Sequence, residues 1–258
     1  MKKVVIIGSG NLAEALARAI AKSDLTLVQL FARNAERACA VAQIAQTVWT
    51  SDPAQLAQAD IYLIAVSDGA VGDLAASLPI PVTAVVAHTA GSVALDVLPA
   101  KYARRAVFYP LQTFTKGREV DFSQIPIFLE TSTPELRTQL ETFARVLSPT
   151  VIYADSTLRS KVHLAGVFAC NFANHMYALG ATIAREAGVS FEVLKPLIAE
   201  TAAKAVDADS PAEVQTGPAV RHDLATEQRH LTMLAEQEQL RKIYSIISEN
   251  IWETSRKI

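Results

Sequence analysis

The chain has 258 residues, half of them apolar, and carries 24 basic against 26 acidic side chains. Thirteen of each sign lie up to position 150, with eleven basic and thirteen acidic after it, so neither half has the basic excess that nucleic-acid binding needs. The length is more than one hydrophobic core usually serves and points to two domains.

The first thirty-four residues are the most informative. Val4-Val5-Ile6-Ile7 is a short β-branched run, as expected for a central parallel strand covered on both faces. Gly8-Ser9-Gly10-Asn11-Leu12-Ala13 follows it. Gly8 suits a tight turn, Gly10 leaves room for a pyrophosphate against the backbone, and Ala13 meets the need for a small residue where helix packs on strand. A helix starting near Asn11 aims free N–H groups at that phosphate. The other reading of this stretch is a glycine-punctuated core turn.

A second strand, Leu25 to Phe31, ends in Ala32-Arg33-Asn34, where an acidic residue would mark an NAD site. Arg33 can pair with a 2′-phosphate, and Asn34 can donate to it while capping the next helix. The expected cofactor is therefore NADP; the alternative for Arg33 is a solvated charge at the start of a surface helix.

Further apolar runs alternate with helical stretches. A helix is expected near 35–46, a short strand near 47–49, and a short helix from Pro53. A buried strand spans Ile61 to Val66 and ends at Ser67-Asp68; a helix then runs to Ser77. Strands at 82–87, 105–109, 125–129 and 150–153, with a helix over 134–147, complete a parallel sheet. After Asp155 strand signals fade. Helical sequence runs from Ser156 to Ala187, restarts at Ser190, and resumes after a polar break (208–218) as two last helices.

Ligands of open parallel sheets bind beyond the C-terminal ends of the strands. That places Val66-Ser67-Asp68 near the ribose or nicotinamide, although Asp68 serves equally as an N-cap. His88-Thr89-Ala90-Gly91-Ser92 offers an imidazole and two hydroxyls, or else a turn with Ser92 as a cap. The stretch from Tyr109 to Thr113 is a fourth strand-end loop able to close over the cofactor. On an α-helical wheel with His163 at zero, Asn174 falls at about 20°, Asn171 at about 80° and Lys161 at about 160°. His163 is the leading proton donor and Asn171 an orienting amide, each with a structural alternative. Lys161 binds a carboxylate or is solvated. Arg221 and His222 form an anion site or a solvated turn.

Val162 to Ala184 carries no Asp, Glu, Lys or Arg, but its His and Asn residues favour a helix buried in a domain or dimer over a membrane span. The start of the chain has no signal-peptide shape, and Cys39 and Cys170 show no CxxC or metal spacing. The expectation is a cytoplasmic protein with buried free thiols and no metal.

As a set, Gly8-x-Gly10-Asn11-Leu12-Ala13, Arg33-Asn34, the Val66-Ser67-Asp68 strand end and the helical second half resemble the pyrroline-5-carboxylate reductase group. They also resemble the wider 6-phosphogluconate and β-hydroxyacid dehydrogenase assembly, including deazaflavin-linked NADP oxidoreductases. His88–Ser92, Pro110–Phe114 and Lys161–Tyr177 are similar to stretches of uncharacterised bacterial Rossmann-type NADP oxidoreductases. The resemblance implies a Rossmann-type α/β domain over 1–154 and an all-α, 6-phosphogluconate dehydrogenase C-terminal-like dimerisation domain over 155–258. It further implies NADP(H), a homodimer through the C-terminal helices, and an active site between the domains. The glycine- and threonine-rich loop of the pyrroline carboxylate reductases is replaced here by Thr216-Gly217-Pro218-Ala219-Val220-Arg221. The Lys/Asn pair of the β-hydroxyacid dehydrogenases is also lacking, because Ala165 follows Lys161 four residues on. The expected activity is hydride transfer between NADP(H) and a small, anionic imine, carbonyl or alcohol substrate; the alternative is an NADP-binding regulatory or sensor dimer without turnover.

Overall fold

The structure, a computed structural model, describes residues 1–257. They fall into two compact units that divide between Cys170 and Asn171. The first unit is built on one eight-stranded sheet, with strand order β3-β2-β1-β4-β5-β6-β7-β8. The strands are β1 (Lys3–Ile7), β2 (Thr26–Phe31), β3 (Trp49–Thr50), β4 (Ile61–Ile64), β5 (Val85–His88), β6 (Arg105–Pro110), β7 (Ile127–Thr131) and β8 (Val151–Tyr153). Between them run α1 (Asn11–Ala21), α2 (Ala35–Ile44), α3 (Val71–Ser77) and α4 (Pro134–Arg145). β1 and β4, with Val4 to Ile7 and Ile61 to Ile64 wholly inaccessible, lie at the centre, as their uninterrupted apolar sequence requires.

Pairing is parallel from β3 through β6, but β7 runs antiparallel to β6 and carries β8 with it. This corrects the expectation of a wholly parallel sheet. The cause lies in the connection 111–126, which holds only a 3₁₀ turn at Phe122–Gln124. It stays at the end of the sheet where β6 stops: Asn11 Nδ2 donates to the Phe114 carbonyl at 3.1 Å and the Gly117 N–H to Glu14 at 3.2 Å. With no helix to carry the chain back along the sheet, the next strand must start from the same end and run the other way.

The two halves of the core follow the two faces of the sheet. Leu16, Ile20, Val41, Leu140 and Phe143 pack on the face that holds Val4, Ile6, Leu30 and Leu63. Val71, Ala75, Leu98 and Tyr102 cover Val5, Ile7, Tyr62 and Ile64 on the other. The expected long helix is present as α5 (Ser156–Gly166), a π-helical segment (Val167–Phe172) and α6 (Ala173–Glu186). It ends on Gly188 at φ +74°. The unit boundary lies inside the π segment, so α5 belongs with the sheet.

The second unit holds α6, α7 (Lys195–Asp207), α8 (Leu224–Met233) and α9 (Glu238–Ser255). Ser190 caps the turn before α7, accepting from the Glu192 N–H. No residue of α6, α7 or α8 is buried, and Ile183, Val193, Leu197, Leu224, Met233 and Ile246 are exposed. Among the described residues no helix is long and apolar enough to cross a membrane. The cysteines are not buried as expected: Cys39 is exposed and Cys170 partly so. Ala38, Val41 and Ala42 form the inward stripe of α2, and Cys39 points off it.

Candidate active site

Gly8 leaves β1 at φ +128°, a conformation favourable only to glycine, and its N–H donates to the Phe31 carbonyl at 2.8 Å. A Cβ there would sit 2.1 Å from the Ala65 carbonyl oxygen. The turn is thus squeezed between the ends of β2 and β4, which only a residue without a side chain permits. Gly10 differs: a Cβ on it would meet nothing within 4 Å. Its backbone is open to what approaches from outside. It is also the N-cap of α1 and places no side-chain acceptor on the first N–H groups of that helix, while Ala13 is wholly inaccessible against the core.

These features border a cleft of about 650 Å³ whose walls include Gly8, Ser9, Arg33, Asn34, Val66 and Ser67. The cleft fits a dinucleotide: bare glycine backbone, open helix N–H groups and a cation at the β2 end. Its carboxylate, Asp73, stands on α3, away from the position where an acid would meet an adenosine ribose. Asn34 is spent as a cap, accepting from the Arg37 N–H at 3.0 Å through Oδ1, which leaves its amide N–H₂ to donate.

Asn11 and Leu12 stand outside the cleft walls. The Asn11 side chain is tied to Phe114, and Leu12 packs on the core. One element was missed by sequence reasoning: Arg37, which donates to the Ser9 carbonyl at 3.2 Å and pairs with buried Glu14 at 2.9 Å. Glu14 also holds Arg18 at 3.0 Å. Burial works to raise the Glu14 carboxyl, but hydrogen bonds and charge from Arg18 and Arg37 leave it below the ordinary value. Only the Glu14/Arg18 spacing was visible in sequence; Arg37 arrives through the fold.

A second set of polar groups gathers beyond β4, β5 and β6, with α5 alongside. Asp68 and Ser92, for each of which helix capping is one of two expected roles, bond to each other at 2.5 Å. Thr89 is buried, its hydroxyl facing the Ile64 carbonyl at 3.3 Å. His88 is wholly inaccessible, and its Nδ1 accepts from the Ala90 N–H at 3.2 Å. Burial first, and then the Arg159 charge, push its imidazole down to about 4, while the Ala94 carbonyl and Asp68 oppose this. Such a ring is neutral at pH 7 and shapes the turn.

His163 is only partly buried, and its Nδ1 lies 3.1 Å from Tyr109 Oη. Gly91 fits beneath both rings: a Cβ on it would come within 2.6 Å of Tyr109 Cζ and 2.9 Å of His163 Nδ1. Behind them Arg159, fully buried, is held by the Glu130 carboxylate and the Val93 carbonyl. Lys161 is exposed. Asn171 is exposed and lies in the π segment, which breaks the α-helical phase, so wheel angles from His163 do not carry through to Asn171 and Asn174. His222, at φ +53°, stacks on Trp252 with ring centroids 4.4 Å apart, so its ring is engaged in packing.

Comparison with known proteins gives a consistent picture. A family described as "NADP oxidoreductase coenzyme F420-dependent" matches residues 3–91, and a domain of unknown function, DUF2520, matches residues 125–251. A search of curated proteins returns no match. Among solved structures, a "putative NADP oxidoreductase" of Bacteroides fragilis is 40% identical over 98% of each chain, with a TM-score of 0.91. A reductive aminase of Aspergillus terreus, solved with NADPH and ethyl-5-oxohexanoate, is 15% identical and has a TM-score of 0.70, covering 100% of this chain and 94% of that one. A 1-pyrroline-5-carboxylate reductase of Streptococcus pyogenes is 15% identical and has a TM-score of 0.62, covering 99% and 98%. At that identity the last two share the fold alone.

Proposed function

The chain belongs to the family of Rossmann-type NAD(P)-dependent oxidoreductases, and from that premise we propose that it is an NADPH-dependent reductase of small C=N or C=O compounds, anionic ones in particular. The observation that carries the cofactor choice is Arg33 at the β2 end of a cleft that Gly8 and Ser9 also line. A guanidinium there meets a 2′-phosphate, and no carboxylate at that strand end opposes it. Backbone N–H groups of Ser9, Gly10 and Asn11 hold the pyrophosphate in the space that the Gly8 turn leaves, Arg33 and the Asn34 amide hold the 2′-phosphate, and Val66 and Ser67 border the ribose next to the nicotinamide. Bound NADPH supplies hydride. The protein must supply a proton to the heteroatom that gains charge, and His163, partly open and outside the core, is the group for it. The imine chemistry in the names of the reductive aminase and the pyrroline carboxylate reductase makes C=N substrates the first to try.

The assembly is a homodimer through the C-terminal helices. A unit whose helices bury almost nothing of their own, with exposed Ile183, Leu197 and Ile246, has apolar surface for a second copy to cover.

The test is NADPH oxidation, followed by absorbance, with a panel of cyclic imines, 2-keto acids and simple ketones, and NADP reduction with 2-hydroxy acids. Turnover with at least one compound, lowered about 100-fold or more by His163→Ala, is the expected result. Silence across the panel with NADP binding intact overturns the reductase reading in favour of a nucleotide-sensing dimer.

A further inference from the structure

We infer that Tyr109 is the positioning residue of the reaction: its phenol oxygen holds Nδ1 of His163, so that Nε2 is the nitrogen turned to the substrate. The inference rests on the reductase reading for its catalytic meaning, but the pairing has its own observable. Tyr109 is near the end of β6, where its register opposite Phe128 on β7 fixes the backbone and the two rings lie 6.3 Å apart. The phenol therefore comes from a rigid element, as orientation of a second group demands. The Tyr109 and His163 rings meet edge to face at 6.0 Å, with the hydrogen bond between them at 3.1 Å.

The third component is the absence of a side chain at Gly91. Any Cβ there would strike the phenol ring and the imidazole nitrogen at once. The pair thus closes on a floor that glycine alone provides. Burial first, and then the Asp68 carboxylate, keep the Tyr109 phenol above its ordinary value, against a smaller opposing effect of Arg159. Tyr109 consequently stays an uncharged phenol, and Arg159 is occupied by Glu130.

In the protonated imidazole both nitrogens carry hydrogen, so the roles in the pair are fixed: Nδ1–H donates and Tyr109 Oη accepts. As hydride forms the new C–H bond, the π pair of C=N or C=O moves to the heteroatom and takes the proton from Nε2. A neutral imidazole remains, its Nδ1–H still on Tyr109, and water returns a proton to Nε2. Asp plays this orienting part in many His-dependent sites; a phenol does so without adding charge.

The experiment combines kinetics with NMR on the full-length protein. With the panel compound that turns over fastest, Tyr109→Phe is expected to lower kcat about tenfold or more while KM and NADPH affinity stay within about twofold. In a His163→Gln background the same change is expected to do nothing further, because a residue that acts only through His163 has no effect without it. At a pH where His163 is protonated, its Nδ1–H resonance is expected in the wild type and lost in both Tyr109→Phe and Gly91→Ala. An undiminished Nδ1–H resonance in Tyr109→Phe overturns the pairing. Losses from the two substitutions that multiply in the double variant overturn the positioning role. If no panel compound turns over, the reductase reading fails on that result and the NMR measurement decides the pairing alone.

Discussion

The two glycines of the first turn answer to different forces. Gly8 is required by the fold: its φ of +128° and the Ala65 carbonyl 2.1 Å from where a Cβ would stand leave no room for a side chain. Gly8→Ala is therefore expected to cost at least about 3 kcal/mol, read as a fall in thermal midpoint without any cofactor. Gly10 has φ −72° and open space around its Cβ position, so Gly10→Ala should leave stability within about 1 kcal/mol of wild type. The same methyl obstructs the approach of a pyrophosphate and should weaken NADP binding about tenfold or more in calorimetry. A matching loss of stability in both variants would show that Gly10 too is there for the fold.

At the scale of elements, Glu14 joins α1 to α2 through Arg37 and to the 111–126 connection through the Gly117 N–H. Glu14→Gln takes the carboxylate from Arg37 and leaves Arg18 with Glu119 alone, and is expected to cost about 1–3 kcal/mol at pH 7, less than a fully enclosed pair because Arg18 and Arg37 reach solvent. The folded-state carboxyl lies below its ordinary 4.5, so its contribution is whole above that pH and fades as pH falls through the lower, folded value. Urea unfolding of the two forms should accordingly differ at pH 7 and converge in acid; a gap that persists unchanged in acid would exclude the ion pairs as its source.

The sheet strands, α1, and the Gly8, Arg33 and Asn34 positions were legible in sequence, because each rests on local signals: β-branched runs, a glycine turn, a cap. The reversal of β7, the π segment and the Arg37 reach to Glu14 were not, because each depends on where distant chain arrives. The Tyr109 and His163 pair belongs with these: its members are 54 positions apart, on a strand and a helix, and the glycine that admits them lies on the loop after β5. Asp68 and Ser92 each carried a good capping signal, and a partner across the site drew both away.

For the whole molecule, the contrast between the units is one of burial. The first encloses an apolar core on both faces of its sheet, whereas the helices of the second are left largely exposed. Sedimentation equilibrium at micromolar concentration should accordingly return twice the 27.8 kDa chain mass, and a monomer mass would contradict the dimer. Membership in an NAD(P)-dependent family leaves the choice of dinucleotide to this chain's own residues, and we assign that choice to Arg33 on the cleft wall. The most direct test is calorimetric titration of the wild type and Arg33→Ala with NADPH and NADH. The account predicts NADPH binding at least about tenfold tighter than NADH in the wild type, and a preference that collapses in Arg33→Ala through loss of NADPH affinity alone. Equal affinities for the two in the wild type would contradict it.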